Sequence, residues 1–116
     1  NEVLKNLKPN KEKMLKLANS GYITATDLAD YLVKNHAMPF RKAYQITTTV
    51  VNFAEKNKKK LSELSLDDVK KIYKDLDKNV LKVFNVKNSM NMKKSHGGTS
   101  EVNVKSMIKK YKKEIK

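Results

Sequence analysis

The segment Gly21–Gln45, GYITATDLADYLVKNHAMPFRKAYQ, commits the chain to helices packed around a tight corner. Ser20-Gly21 predicts a helix end, because glycine takes the left-handed conformation of a helix C′ position without steric cost. Thr24 reads as the next N-cap, with Asp27 three residues on as its box partner. Ala25, Leu28, Ala29, Leu32 and His36 recur at three- and four-residue spacing, which predicts an amphipathic helix to about Asn35. Pro39 cannot extend that helix and pushes Met38 away from helical angles, yet it suits the first position of a new one.

The helix opened by Pro39 is expected to be the longest, running to about Lys56. Its predicted inner face is Phe40, Ala43, Tyr44, Thr47, Val50, Val51 and Ala54, widened by Ile46 and Phe53. The β-branched run Ile46–Val51 favours strand locally. Period-3.6 spacing over four turns outweighs it. Asn57–Lys60 then reads as a solvated helix exit and Leu61–Leu64 as a short turn. Ser65 with Asp68 forms a second capping box, opening a helix through Leu66, Val69, Ile72 and Tyr73. Asp75–Asp77 breaks it, and Val80, Leu81 and Phe84 pack a short successor.

Upstream, Val3, Leu4 and Leu7 make an apolar stripe that Pro9 interrupts. Asn10 is placed to cap a helix over Lys11–Asn19, with Met14, Leu15, Leu17 and Ala18 facing inward or flanking. Downstream, Asn88 or Ser89 is expected to cap a short segment to about Lys94, and Gly97-Gly98 to be the most flexible turn. Thr99 or Ser100 caps a last helix whose apolar line is Val104, Met107, Ile108, Tyr111 and Ile115. The fold class expected is all-α, a compact domain of about five to seven helices with no sheet. The expected division is residues 1–21 as the tail end of a preceding helical domain and 22–116 as the helical domain proper. Val3, Leu4, Leu7 and the Ile46/Phe53 flank are the expected self-association surfaces.

Composition removes several function classes. The chain of 116 residues has no Cys, which excludes disulfides, thiolate metal sites and a cysteine nucleophile. No apolar run approaches the roughly 20 residues that span a bilayer, so no membrane partner is expected. A net charge of +14 invites a nucleic-acid reading, and Thr24–Thr47 has the outline of a helix–turn–helix. Against this, Arg41 is the only arginine and the lysines are scattered over every segment. The joint enrichment in Lys and Asn has the character of a general compositional bias, so no specific nucleic acid is expected.

No catalytic set emerges. His36 and His96 lack metal-ligand spacing and a carboxylate partner, and no metal site is expected. Asp27/Asp30 and Asp67/Asp68 sit in first turns, where capping and the helix dipole explain them. Gly97-Gly98 lacks the spaced glycines and Lys-Ser/Thr of a phosphate cradle. No catalytic, cofactor-binding or metal-binding residue and no cofactor is therefore assigned. A protein-interaction adaptor built on a four-helix docking domain is a further alternative to the nucleic-acid module.

Ala25-Thr26-Asp27-Leu28-Ala29, Tyr31-Leu32-Val33 and Pro39-Phe40-Arg41 together resemble the C-terminal domain of argininosuccinate lyase, in order and spacing. LSELSLDDVKKI (Leu61–Ile72), Phe84–Ser89 and Gly97-Gly98-Thr99 extend the resemblance downstream. Asn10–Met14 is similar to the end of that family's central domain. Ser100-Glu101 stands where relatives often have Ala-Pro, and Tyr44 where they often have His. Asn88–Lys94 shares only a Ser, a Met and a Lys with the serine loop of the fumarase/aspartase superfamily, and lacks its glycine and proline. The resemblance implies a parent enzyme that cleaves argininosuccinate to arginine and fumarate by elimination, a step of arginine biosynthesis. It also implies a cytoplasmic homotetramer, with this chain docked on the remaining domains of the same polypeptide and serving a structural rather than catalytic role. Its catalytic serine loop and histidine are expected upstream of Asn1, in on the order of two further domains.

Overall fold

In the computed structural model, which describes residues 1–115, the corner is built by two helices packed on each other, Ala25–His36 (α3) and Phe40–Lys56 (α4). Ala37 turns the chain at φ 47°, a left-handed conformation uncommon for a residue with a Cβ. Pro39 is the N-cap of α4 (φ −57°, ψ 137°) rather than its first residue. Its carbonyl accepts the N–H groups of Lys42 and Ala43 at 2.9 and 3.1 Å, so the proline starts the helix from one position further out.

Around this pair lie Glu2–Asn6 (α1), Lys11–Ser20 (α2), a 3-10 turn at Leu61–Glu63, Leu66–Lys70 (α5), Val80–Val83 (α6), Val86–Met92 (α7) and Glu101–Glu114 (α8). The architecture is all-α, with no strand among the described residues. Five of the eight α-helices have seven residues or more. The core gathers Leu28 and Leu32 from α3, Val50 from α4, Val69 from α5, Val80 from α6, and Phe84 just after it. Burial of such side chains contributes about 1.5–3 kcal/mol each before chain entropy is counted. No helix among the described residues is long and apolar enough to cross a membrane.

The β-branched run is helical, as the periodicity requires. Thr48 and Thr49 donate their hydroxyls to the carbonyls of Tyr44 and Gln45, each at 3.0 Å. Ser65 and Asp68 form the reciprocal capping box: the Asp68 N–H donates to Ser65 Oγ at 3.2 Å and the Ser65 N–H to Asp68 Oδ2 at 3.1 Å. Lys59 Nζ donates to the same carboxylate oxygen at 3.1 Å. The Ser65 backbone bond above all, then the Lys59 and Ser65 side-chain bonds, hold the Asp68 carboxyl down at about 2. Folding therefore disfavours the protonated form. The carboxylate's contribution to stability is complete above the unfolded value of about 3.9 and is lost as pH falls toward about 2. Asp68→Asn should flatten the acid limb of a circular-dichroism pH titration in that window and leave the neutral region's slope unchanged.

Several local expectations are corrected. Gly21 is extended (φ −105°, ψ −175°), and a Cβ there would meet only Ile23 at an ordinary 3.8 Å, so α2 ends without a left-handed residue. Thr24 starts α3 but makes no side-chain cap. Its ψ of 1° departs from the extended geometry that aims a capping oxygen at the first-turn amides. The α5 helix stops at Lys70, with Ile72 in the turn that follows and Tyr73 beyond it in irregular structure. The cap of α7 is Asn85, whose side chain accepts the Asn88 N–H at 3.0 Å, not Asn88 or Ser89. Ile46 and Phe53 are partly buried against the core, which removes them as a free flank.

The glycine turn is a close approach rather than a loose joint. A Cβ on Gly98 would lie 2.2 Å from the Lys93 carbonyl oxygen. Around it, Ser100 N–H donates to that carbonyl at 3.2 Å, Glu101 N–H to Asn91 Oδ1 at 3.1 Å, and Asn103 Nδ2 to the Ser95 carbonyl at 2.7 Å. Ser100, of the two expected candidates, caps α8. The base of α8 is thus pinned, while none of its residues is buried. Helices α1 and α2 likewise bury nothing. Met14, Leu15 and Leu17, expected to face inward or flank, and the apolar line of Val104, Met107, Ile108, Tyr111 and Ile115 are exposed. Their amphipathic spacing is real, but nothing among the described residues buries those faces.

Candidate functional site

The first turn of α3 carries a polar node that joins distant parts of the chain. The Asp27 carboxylate, whose side chain is 13% exposed, accepts a hydrogen bond from the Ser89 hydroxyl and another from Lys93 Nζ at 2.9 Å. Lys93 Nζ also lies 3.3 Å from Ser89 Oγ. The arrangement places a hydroxyl, an amine and a carboxylate together, the residue types of a nucleophile with its base. The contacts argue otherwise. The Lys93 ammonium donates to Asp27 and has no lone pair to offer Ser89, and the Ser89 proton is directed at Asp27. The node's chemistry is that of a tie between α3 and α7. Asp27 was legible as a first-turn acid, but its partners 62 and 66 residues away carry no local signal.

A second polar group surrounds His36. The Tyr31 hydroxyl donates to Asp77 Oδ1 at 2.7 Å, and the His36 ring lies between the rings of Tyr31 and Tyr73, at 5.8 and 6.0 Å between centroids. Burial first, then the Asp77 bond and charge, push the Tyr31 phenol up to about 12. The Tyr31 bond, more than any other contact, lowers the Asp77 carboxyl. His36 sits at the core edge, as a residue near a helix C-terminus should. His96 is exposed beside Gly97. Among the described residues no three His, Cys, Asp or Glu side chains converge to hold a metal ion.

Between α3 and α4 lies a cleft of about 440 Å³, lined by Ala25, Thr26, Ala29, Asp30, Phe40, Tyr44, Thr47, Thr48 and Val51. Phe40 and Tyr44, expected to face the core, instead stand exposed at its mouth with ring centroids 6.3 Å apart. Thr47 is buried and its hydroxyl has no hydrogen-bond partner. Such an orphan costs about 1–3 kcal/mol. Thr47→Val keeps the branched shape and removes the orphan, so it should raise unfolding stability by about 1 kcal/mol in a urea titration; a loss of similar size would mean the hydroxyl is satisfied.

The nucleic-acid outline fares less well. Each α-helix carries lysine, so charge is spread rather than gathered on α4. Arg41 makes no ion pair among the described residues, yet it is a single fork where base recognition draws on several side chains.

The family model described as argininosuccinate lyase C-terminal matches residues 22–91. The chain is 74% identical over 113 residues to the argininosuccinate lyase of Pelagibacter ubique, covering 97% of this chain and 24% of that protein. It is 45% identical over 115 residues to the argininosuccinate lyase of Campylobacter hominis, covering 99% of this chain and 25% of that protein. It thus spans about a quarter of the length of these curated relatives. Among solved structures, an EDDS lyase variant with bound fumarate superposes with a TM-score of 0.81 at 25% identity, over 91% of this chain and 23% of the other. The match begins just before the buried core, at the threshold of α3, and runs into α7 as far as residue 91, past the Ser89 that Asp27 holds. This chain belongs to the argininosuccinate lyase C-terminal family.

Proposed function

We propose that the chain is the C-terminal part of an argininosuccinate lyase, and that its parent cleaves argininosuccinate to arginine and fumarate. The observation that carries this is near-complete coverage of this chain by a quarter of each relative. The parent reaction removes a proton beside a carboxylate and expels the guanidinium nitrogen as leaving group. Among the described residues the Ser89–Lys93–Asp27 node reads as a tie rather than a catalytic set, and in this reading the catalytic residues belong to other parts of the polypeptide. Residues 1–21 form the tail end of the central helical domain and 22–116 the C-terminal domain. The family match from residue 22 and the unburied α1 and α2 support that boundary.

The role of the domain in this reading is structural: it closes one end of the subunit and docks on the remaining domains through the uncovered face of α8, while α1 and α2 pack within the central domain they end. A homotetrameric parent in the cytoplasm completes the reading and rests on the family resemblance. The test compares the full-length polypeptide with residues 1–116 alone, following fumarate and arginine released from argininosuccinate. The full-length protein should release both in equal amounts and the isolated chain neither. Turnover by the isolated chain, or none by the full-length protein, would overturn the proposal.

A further inference from the structure

The cleft between α3 and α4 has a chemistry that the lyase reading does not use. Its walls are apolar where Ala25, Ala29 and Val51 line it, and its mouth is flanked by the rings of Phe40 and Tyr44, 59% and 61% exposed. Asp30 adds an exposed carboxylate to the same cavity. Four of the twelve acidic residues, Asp27, Asp68, Glu101 and Glu114, have lysine partners among the described residues, and Asp30 is one of those that do not, which leaves its carboxylate available at the cleft. Lys34, one helical turn further along α3, is not within ion-pair distance of it.

We propose that this cleft binds a small amphiphilic cation, an alkylammonium or alkylguanidinium ion, whose charge meets Asp30 and the aromatic faces while its alkyl stem lies against Ala25, Ala29 and Val51. The cavity volume falls in the range of small-molecule sites, about 300–1,000 Å³. Aromatic faces attract cations through their quadrupole, and a carboxylate adds charge-assisted hydrogen bonds. An apolar polypeptide segment seated here would bury the Asp30 carboxylate without compensation. A neutral apolar molecule would leave Asp30 and the ring faces unused. The overall positive charge repels cations, so any binding reports local complementarity rather than general attraction.

The experiment uses the full-length polypeptide carrying this chain, labelled with ¹³C at alanine methyl groups and titrated with n-butylguanidinium chloride. The Ala25 and Ala29 methyl signals should shift saturably, while n-butanol at the same concentrations should leave them in place. Asp30→Asn, at an exposed position that folding does not need, should weaken binding by about tenfold or more. Phe40→Ala should weaken it as well. The proposal is overturned if the two methyls do not respond, if n-butanol moves them equally, or if Asp30→Asn binds as tightly as the parent sequence.

Discussion

Replacing Phe84 with alanine is expected to lower unfolding stability by about 3–5 kcal/mol. Phe84 follows α6 and is 2% exposed, in the same buried cluster as Leu28 and Leu32 of α3. Truncation removes the ring's transfer free energy and leaves a cavity that helices held on several sides cannot fully close. Domains of this size are stable by only about 5–15 kcal/mol, so one side chain carries a large share of the total. A urea titration of the chain and of the Phe84→Ala variant measures the loss. Phe40→Ala is the internal control, since that ring is exposed and its removal should cost about 0.5 kcal/mol or less. Equal losses from the two rings would contradict the burial pattern described above.

The next largest effect is expected at Asp27. Asp27→Ala takes the acceptor away from both the Ser89 hydroxyl and the Lys93 ammonium, and should cost about 1–3 kcal/mol. The low end is favoured because the Lys93 side chain is 50% exposed and can recover its hydration. An acid that merely answers the helix dipole would be worth about 0.3–1 kcal/mol and would not depend on Lys93. A double-mutant cycle with Lys93→Met separates the two accounts. A coupling energy of about 0.5 kcal/mol or more identifies the tie between α3 and α7, and additive losses refute it.

These two sites show how far local sequence rules reach. Ser65 and Asp68 lie three residues apart on one turn, and both halves of their capping box are formed as expected. Asn10 caps α2 for the same reason, its side chain accepting the Lys13 N–H at 2.9 Å. Asp27 carries the same local signal as Asp68. Its geometry is overruled because Ser89 and Lys93 arrive from α7 and the residue after it, a tertiary event that periodicity does not encode. The apolar lines of α2 and α8 mark faces that want a partner, but spacing does not say whether the partner lies within the chain. For α8 the answer is visible at its base, where Ser100, Glu101 and Asn103 are tied down and the helix beyond them runs uncovered. Phe40 and Tyr44 fit the helical face of Val51 and Ala54, yet α3 opposes them with the small residues Ala25 and Ala29, and a cleft opens instead of a core. The family itself was legible from motif order in Gly21–Arg41, because the capping and corner residues recur there together.

The short corner at Ala37–Pro39 also governs how the domain is built in time. Only three residues separate α3 from α4, so the two faces meet by closing a short loop at small entropic cost. Loops of about ten residues close within roughly 10–100 ns, and folds dominated by such near-neighbour contacts assemble fastest. The α3–α4 pair is therefore the natural nucleus. Phe84→Ala should then speed unfolding more than it slows folding, whereas a core substitution in the α3–α4 pair should do the reverse.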